Sequence, residues 1–268
     1  MSPRSRLATA AAVLLVACQP SASVSPPSSD GAVEPVELSV FGAASLSDAL
    51  AIIEEEYEGV VPGIDLVVAT DSSTALRTQI EEGAPADVFL SADTANPDAL
   101  VDAGLTEAAI EFAGNAITLV VPLMNPAEIV TPADLATTDV QVIGAGQEVP
   151  ITRYVNEVVA SLAALPDYPE RFADAYAANV VSEEDNVRAV MTKVELGEGD
   201  AGFVYQTDAQ ASAQVLSIAI PDEANTHAVY AGCVIATSDR VLEAAAFLDW
   251  LAGADGQAIL AESGFVAP

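Results

Sequence analysis

Residues 36–41 alternate as a strand does, and Leu46, Ala49, Leu50 and Ile53 recur at helical spacing. Between them lies Gly42-Ala43-Ala44-Ser45, a turn of small residues whose backbone can approach another group closely. Ser45 is placed to N-cap the helix, with Asp48 three residues on, as in a capping box. A strand that ends in such a turn leaves free N–H groups and a helix dipole pointing at one spot. Read alone, the stretch is either a capped β–α turn or an anion seat. The unit then repeats. Residues 64–69 form a strand that runs through Thr70-Asp71-Ser72-Ser73-Thr74 into a helix carrying Leu76 and Ile80. Residues 87–91 form another, and Asn96-Pro97 opens the helix after it. Further strands are expected at 140–144, 201–205, 215–220 and 231–236, with helices at 154–165 and from about Asn186. Thr131-Pro132 reads as a helix start with proline in the first turn. Residues 116–121 are almost continuously apolar, as suits a strand covered on both faces. A closing amphipathic helix carries Leu242, Ala246, Leu248, Trp250 and Leu251, with Trp250 expected in the core. This alternation predicts an α/β fold of mainly parallel sheets flanked by helices. In such folds ligands gather at the carboxyl ends of strands.

The formal net charge of −32, from 40 acidic and 8 basic residues, argues against nucleic acid and anionic membrane surfaces as partners, since both need clustered Lys and Arg. The acidic excess reads as a solvated surface, and adaptation to high salt is one hypothesis for it. Arg4 and Arg6 precede an apolar run from Leu7 to Ala17 that is too short to span a bilayer. It ends in Leu15-Val16-Ala17-Cys18, which resembles a bacterial lipobox. Residues 1–18 are therefore expected to be a lipoprotein signal with Cys18 as lipid anchor. Residues 19–35, rich in Ser and Pro, read as a flexible linker. The body would thus act outside the cytoplasmic membrane, held near it. It retains one cysteine, Cys233, in an apolar run, so no disulfide forms within it and a buried thiol is expected.

Signals for catalysis are sparse. His227 is the only histidine and lies in a polar stretch, where a solvated loop residue is expected. Zinc spacings, a Gly-x-Ser-x-Gly elbow and a Walker loop are missing from the sequence. Glu183-Glu184-Asp185 lacks the alternating spacing of a calcium loop and reads as a solvated helix start. Gly197-Glu198-Gly199-Asp200-Ala201-Gly202 matches a dinucleotide fingerprint, but a helix precedes it and a strand follows, so it is a helix-to-strand turn. What remains is a set of small or polar turns at helix starts, at Ala44-Ser45, Ser72-Ser73, Val149-Pro150-Ile151-Thr152 and Asn186-Val187, together with Tyr205 at a strand end. These supply neutral donors that suit an oxyanion without burying a cation.

These segments resemble the molybdate-binding subunits of bacterial ABC transporters. The likeness rests on Phe41 to Leu46, on Asp71 to Thr74 with Gln79 to Phe89, and on Val149-Pro150 with Arg153-Tyr154. It continues through Asn186 to Val190 and Gly202 to Ala209, in family order over nearly all of the body. The resemblance implies a two-lobed type II periplasmic-binding-protein fold, each lobe a mainly parallel sheet flanked by helices. Lobe I would comprise 36–115 and 222–268, and lobe II 116–221. It implies capture of molybdate, and of tungstate, in the cleft by a shell of hydrogen bonds, with no direct metal ligand, no cofactor and no enzymatic activity. Ser45 and Ser73 would donate hydroxyl and backbone N–H, Ile151 and Val187 backbone N–H, and Tyr205 its phenol. The partner implied is an ABC permease in the cytoplasmic membrane, and the protein a monomer. One departure is plain: the family's usual Ala-Gly after Val-Pro is here Ile151-Thr152. The alternatives are a binding protein for another tetrahedral oxyanion such as sulfate, and a secreted hydrolase using carboxylates.

Overall fold

The computed structural model describes residues 35–268. The signal, Cys18 and all but the last residue of the linker lie outside the described residues. Strand β1 (Val36–Ala43) pairs in parallel with β2 (Ile64–Asp71) and with β3 (Val88–Ser91). Helices α1 (Ser47–Val60), α2 (Ser73–Glu81) and α3 (Ala95–Asp102) follow these strands in turn. Strand β1 alternates and β3 is buried throughout, and side chains such as Leu38, Val40, Val88 and Leu90 enter one core with Leu50 and Ile53 of α1. Gly42 leaves room for the Leu50 side chain of α1, whose end occupies the space a Cβ would take.

Strand β4 (Ala109–Pro122) then changes partners along its length. Its first part, through Ala116, pairs with β9 (His227–Val234). From Ile117 it pairs with β7 (Ala201–Tyr205) and, a little further on, with β8 (Val215–Ile218). Beyond β7 lie β5 (Val142–Ala145) and β6 (Val180–Glu184), both parallel to their neighbours β7 and β5. Helices α4 (Pro150–Ala163), α5 (Phe172–Asn179), α6 (Val187–Glu195) and the short α7 (Gln206–Gln210) belong to this stretch of chain. Helices α8 (Val241–Ala252) and α9 (Ala254–Glu262) close the chain. The strand order β2-β1-β3-β9-β4-β7-β5-β6 thus divides into two half-sheets joined by β4.

The α/β layering matches the sequence pattern, but β4 and β9 run antiparallel to their neighbours. An apolar run reports burial on both faces and is silent about strand direction. Other differences are local. Helix α4 starts at Pro150, the residue with no N–H to lose in a first turn, rather than at Tyr154. His227 opens β9, exposed on a strand rather than in a loop. Trp250 is half-buried and packs its ring 5.0 Å from that of Tyr57 at the edge of the core. Cys233 is fully buried and free, and burial pushes its thiol up to about 11. The glycine run near residue 200 is the turn between α6 and β7.

Candidate functional site

Parallel strands place their carboxyl ends, and the helix starts that follow, on one side of a sheet. Here two such sets face each other across a small cavity of about 210 Å³, counted with its mouth. Ser45 and Ser73 line it from the first half-sheet, and Ile151, Val187 and Tyr205 line it from the second. All five residues singled out in the sequence are therefore brought together.

Each reaches the cavity for a local reason. Ser45 lies in a one-turn 3-10 segment (Ala44–Leu46) between β1 and α1, and is buried. The expected capping box does not form. The 3-10 turn delays α1 to Ser47, leaving Leu46 at the N-cap without a side-chain bond. Ser45 Oγ is instead 2.8 Å from Tyr230 Oη, and Asp48 turns to Arg188. At α2 the cap is Ser72, which accepts from the Ala75 N–H at 3.3 Å. That leaves Ser73 at the first helical position, where its Oγ accepts the Ala92 N–H at 3.0 Å. Pro150 and Ile151 open α4, and Thr152 Oγ1 donates to the carbonyls of Ala145 (3.0 Å) and Gly146 (2.8 Å), which ties the turn down. Asn186 caps α6, its Oδ1 accepting the Ala189 N–H at 3.0 Å, with Val187 next in line. First-turn N–H groups such as those of Ile151 and Val187 have no partner four residues back. Tyr205 ends β7 with its ring against Tyr230 and its hydroxyl buried without a hydrogen-bond partner.

Contacts bridge the two half-sheets beside the cavity. Thr74 Oγ1 donates to the Glu148 carbonyl at 2.7 Å, and Asn186 Nδ2 donates to Asp71 Oδ1 at 3.2 Å. Arg188, the residue after Val187, meets Asp48 on α1 at 2.8 Å and the fully buried Asp208 on α7 at 3.3 Å. Among the described residues no Lys, Arg, His, Asp or Glu lines the cavity. Its serines thus have no base beside them, and a charged guest would meet only neutral dipoles. The acidic run before α6 stays outside: Glu184 pairs with Lys193 at 2.6 Å, and Glu183 and Asp185 are exposed. The buried hydroxyl of Tyr205 is pushed well above the ordinary phenol range by burial, so it stays protonated and can donate. Sequence reading missed Tyr230, Asn115 and the Arg188 network. Tyr230 lies 185 residues from its partner Ser45, and no local spacing marks such a pair.

A family model described as bacterial extracellular solute-binding protein matches residues 38–266. The chain is 35% identical over 234 residues to the molybdate-binding protein ModA of Mycobacterium tuberculosis, covering 85% of this chain and 84% of that one. It is 32% identical over 244 residues to the putative ABC transporter substrate-binding lipoprotein YvgL of Bacillus subtilis, covering 90% of each. The periplasmic molybdate-binding protein of Azotobacter vinelandii superposes with a TM-score of 0.73 at 21% identity, covering 86% of this chain and 99% of that one.

Proposed function

The chain belongs to the bacterial extracellular solute-binding proteins, and among them to the ModA molybdate-binding proteins; on that premise we propose that it captures molybdate and delivers it to an ABC transporter permease. The observation that carries the proposal is the cavity between the half-sheets. It is lined by Ser45, Ser73 and Tyr205, which carry hydroxyls, and by Ile151 and Val187 from the first turns of α4 and α6, and among the described residues no charged side chain lines it. Hydrogen bonds to a charged group contribute roughly 1.5–3 kcal/mol each, so a handful offsets much of the cost of dehydrating a dianion. Selection then rests on size and hydrogen-bond geometry, and tungstate, a close match to molybdate in both, is an expected second ligand. Ile151 serves through its backbone, which its change of side chain leaves intact.

Lobe I is assigned to 36–115 and 222–268 and lobe II to 116–221. The change of partner in β4 between Ala116 and Ile117 supports that division. The anion would dock on one lobe and be enclosed when the other swings over. The protein acts as a monomer outside the cytoplasmic membrane, tethered through Cys18. The sequence of the leader and the resemblance to a relative named as a lipoprotein support the tether. It binds without turnover.

Calorimetry with molybdate, tungstate and sulfate on the body of the protein tests this reading. Molybdate and tungstate should bind tightly and sulfate much more weakly. Ser73→Ala, which removes one donor, should weaken molybdate by about tenfold or more. An unchanged affinity in that variant would remove Ser73 from the site.

A further inference from the structure

Resting on the molybdate reading above, we propose that Arg153 is a steering residue, an exposed cation that draws a doubly charged anion toward the cavity through the field of an acidic protein. It works from outside the cage formed by Ser45, Ser73, Ile151, Val187 and Tyr205, and it acts on the rate of capture.

The first observation is a pattern of charge. Helices α1, α3, α5, α7, α8 and α9 each carry an acid in the first turn, as the helix dipole favours: Asp48, Asp98, Asp174, Asp208, Glu243 and Asp255. Helices α2, α4 and α6 carry none. Their starts are the ones that line the cavity, through Ser73, Ile151 and Val187. Each of the three instead has an arginine close to its start: Arg77, Arg153 and Arg188. A cation near a helix N-terminus works against the dipole, so helix stability does not explain the pattern. An anion arriving in front of those N-termini does. The one acid in the turn after Ser45, Asp48, is met by Arg188 at 2.8 Å.

The second observation singles out Arg153. Arg77 is paired with Glu81 at 2.6 Å, and Arg188 with Asp48 and Asp208, so their charges are cancelled locally. Arg153 is exposed and has no ion pair among the described residues. Its Nη2 donates to Tyr154 Oη at 2.9 Å, and its guanidinium lies 4.7 Å from the centre of the same ring. Both contacts are to a neutral group and leave the charge whole. Tyr154 is buried, and its hydroxyl donates across to the Ala92 carbonyl of the other half-sheet at 3.5 Å. Ala92 lines the cavity, so Arg153 is held beside the cavity wall by way of one buried phenol. The acids that face Arg153 at longer range are Asp93 and Glu157. Both oxygens of Asp93 already accept bonds from Asn96. Elsewhere the net charge of −32 repels a dianion, and a local cation at the point of entry offsets that repulsion.

The test is the association rate of molybdate, followed by stopped-flow protein fluorescence at about 0.01 M and about 1 M salt, with affinity from calorimetry giving the dissociation rate. Arg153→Gln should slow association by about two- to fivefold at low salt, leave dissociation nearly unchanged, and match wild type at high salt. Arg153→Lys, which keeps the charge, should associate at the wild-type rate. Arg171→Gln makes the same change in net charge on α5, which lines no part of the cavity, and should slow association far less. Three results overturn the steering role while leaving the molybdate site standing: an unchanged rate in Arg153→Gln, a loss that persists at high salt, or an equal loss in Arg171→Gln. Failure of the wild-type protein to bind molybdate overturns both.

Discussion

Asp208 is a fully buried carboxylate whose one cation is Arg188, at 3.3 Å. Burial raises its pKa to about 6, against the pull of Arg188 in the other direction. A carboxyl whose folded pKa lies above its unfolded value binds more protons when folded between the two. Its stabilising contribution is present below the unfolded pKa and is lost as pH rises through about 6. Asp208→Asn should remove that loss. Measured by urea unfolding, its stability relative to wild type should rise between about pH 4 and about pH 7, by roughly 1–3 kcal/mol. A constant difference across that range would mean that Asp208 titrates alike in both states. The burial of this carboxylate had no mark in the sequence, where Asp208 stood only within the family-like stretch Gly202 to Ala209. The five cage residues were visible because each sits in a turn with its own local signature. Tyr230, Asn115 and Asp208 were not, because their environment is made by distant segments.

At the scale of elements, α6 has the clearest dual duty. Asn186 caps it, and the amide nitrogen of the same side chain reaches across to Asp71 at the end of β2. Asn186→Ala should cost about 1 kcal/mol of stability through the lost cap. It should also weaken molybdate binding several-fold, because the N-terminus that presents Val187 loses its hold on the opposite half-sheet. Thermal melts and calorimetry on one variant separate the two effects; a loss of stability with full affinity would reduce Asn186 to a cap. The cap itself was legible, as Asn followed by an apolar helical run. The start of α4 was signalled by Pro150, yet the apolar period drew the expected start on to Tyr154. Ser45 does not cap α1, because the 3-10 turn Ala44–Leu46 precedes the helix and the Ser45 hydroxyl meets Tyr230 instead. The direction of β9 had no sequence mark at all, since burial on both faces produces the same apolar run in a parallel and an antiparallel strand.

For the whole molecule the dominant field is set by a net charge of −32. The ion pairs among the described residues involve Arg77, Arg171, Arg188 and Lys193, so most of the acidic surface faces water without a cation. Self-repulsion of this kind is screened by salt. The melting temperature should therefore rise by several degrees between about 0.1 M and about 1 M salt. A flat or falling trend would mean that the surface charges are too well solvated to strain the fold. Strand order carries a different kind of consequence. Strand β9 lies between β3 and β4, yet it begins at His227, long after β4 has ended at Pro122. A chain released from its N-terminus can close the pairings of β5 to β8 while β3 and the first part of β4 still wait with open edges. That strand order allows the half that presents Ile151, Val187 and Tyr205 to complete its pairings before the half that presents Ser45 and Ser73. Strand β9, the last in the chain, also brings Tyr230, so the buried bond to Ser45 joins the first strand-to-helix turn of the fold to its final strand.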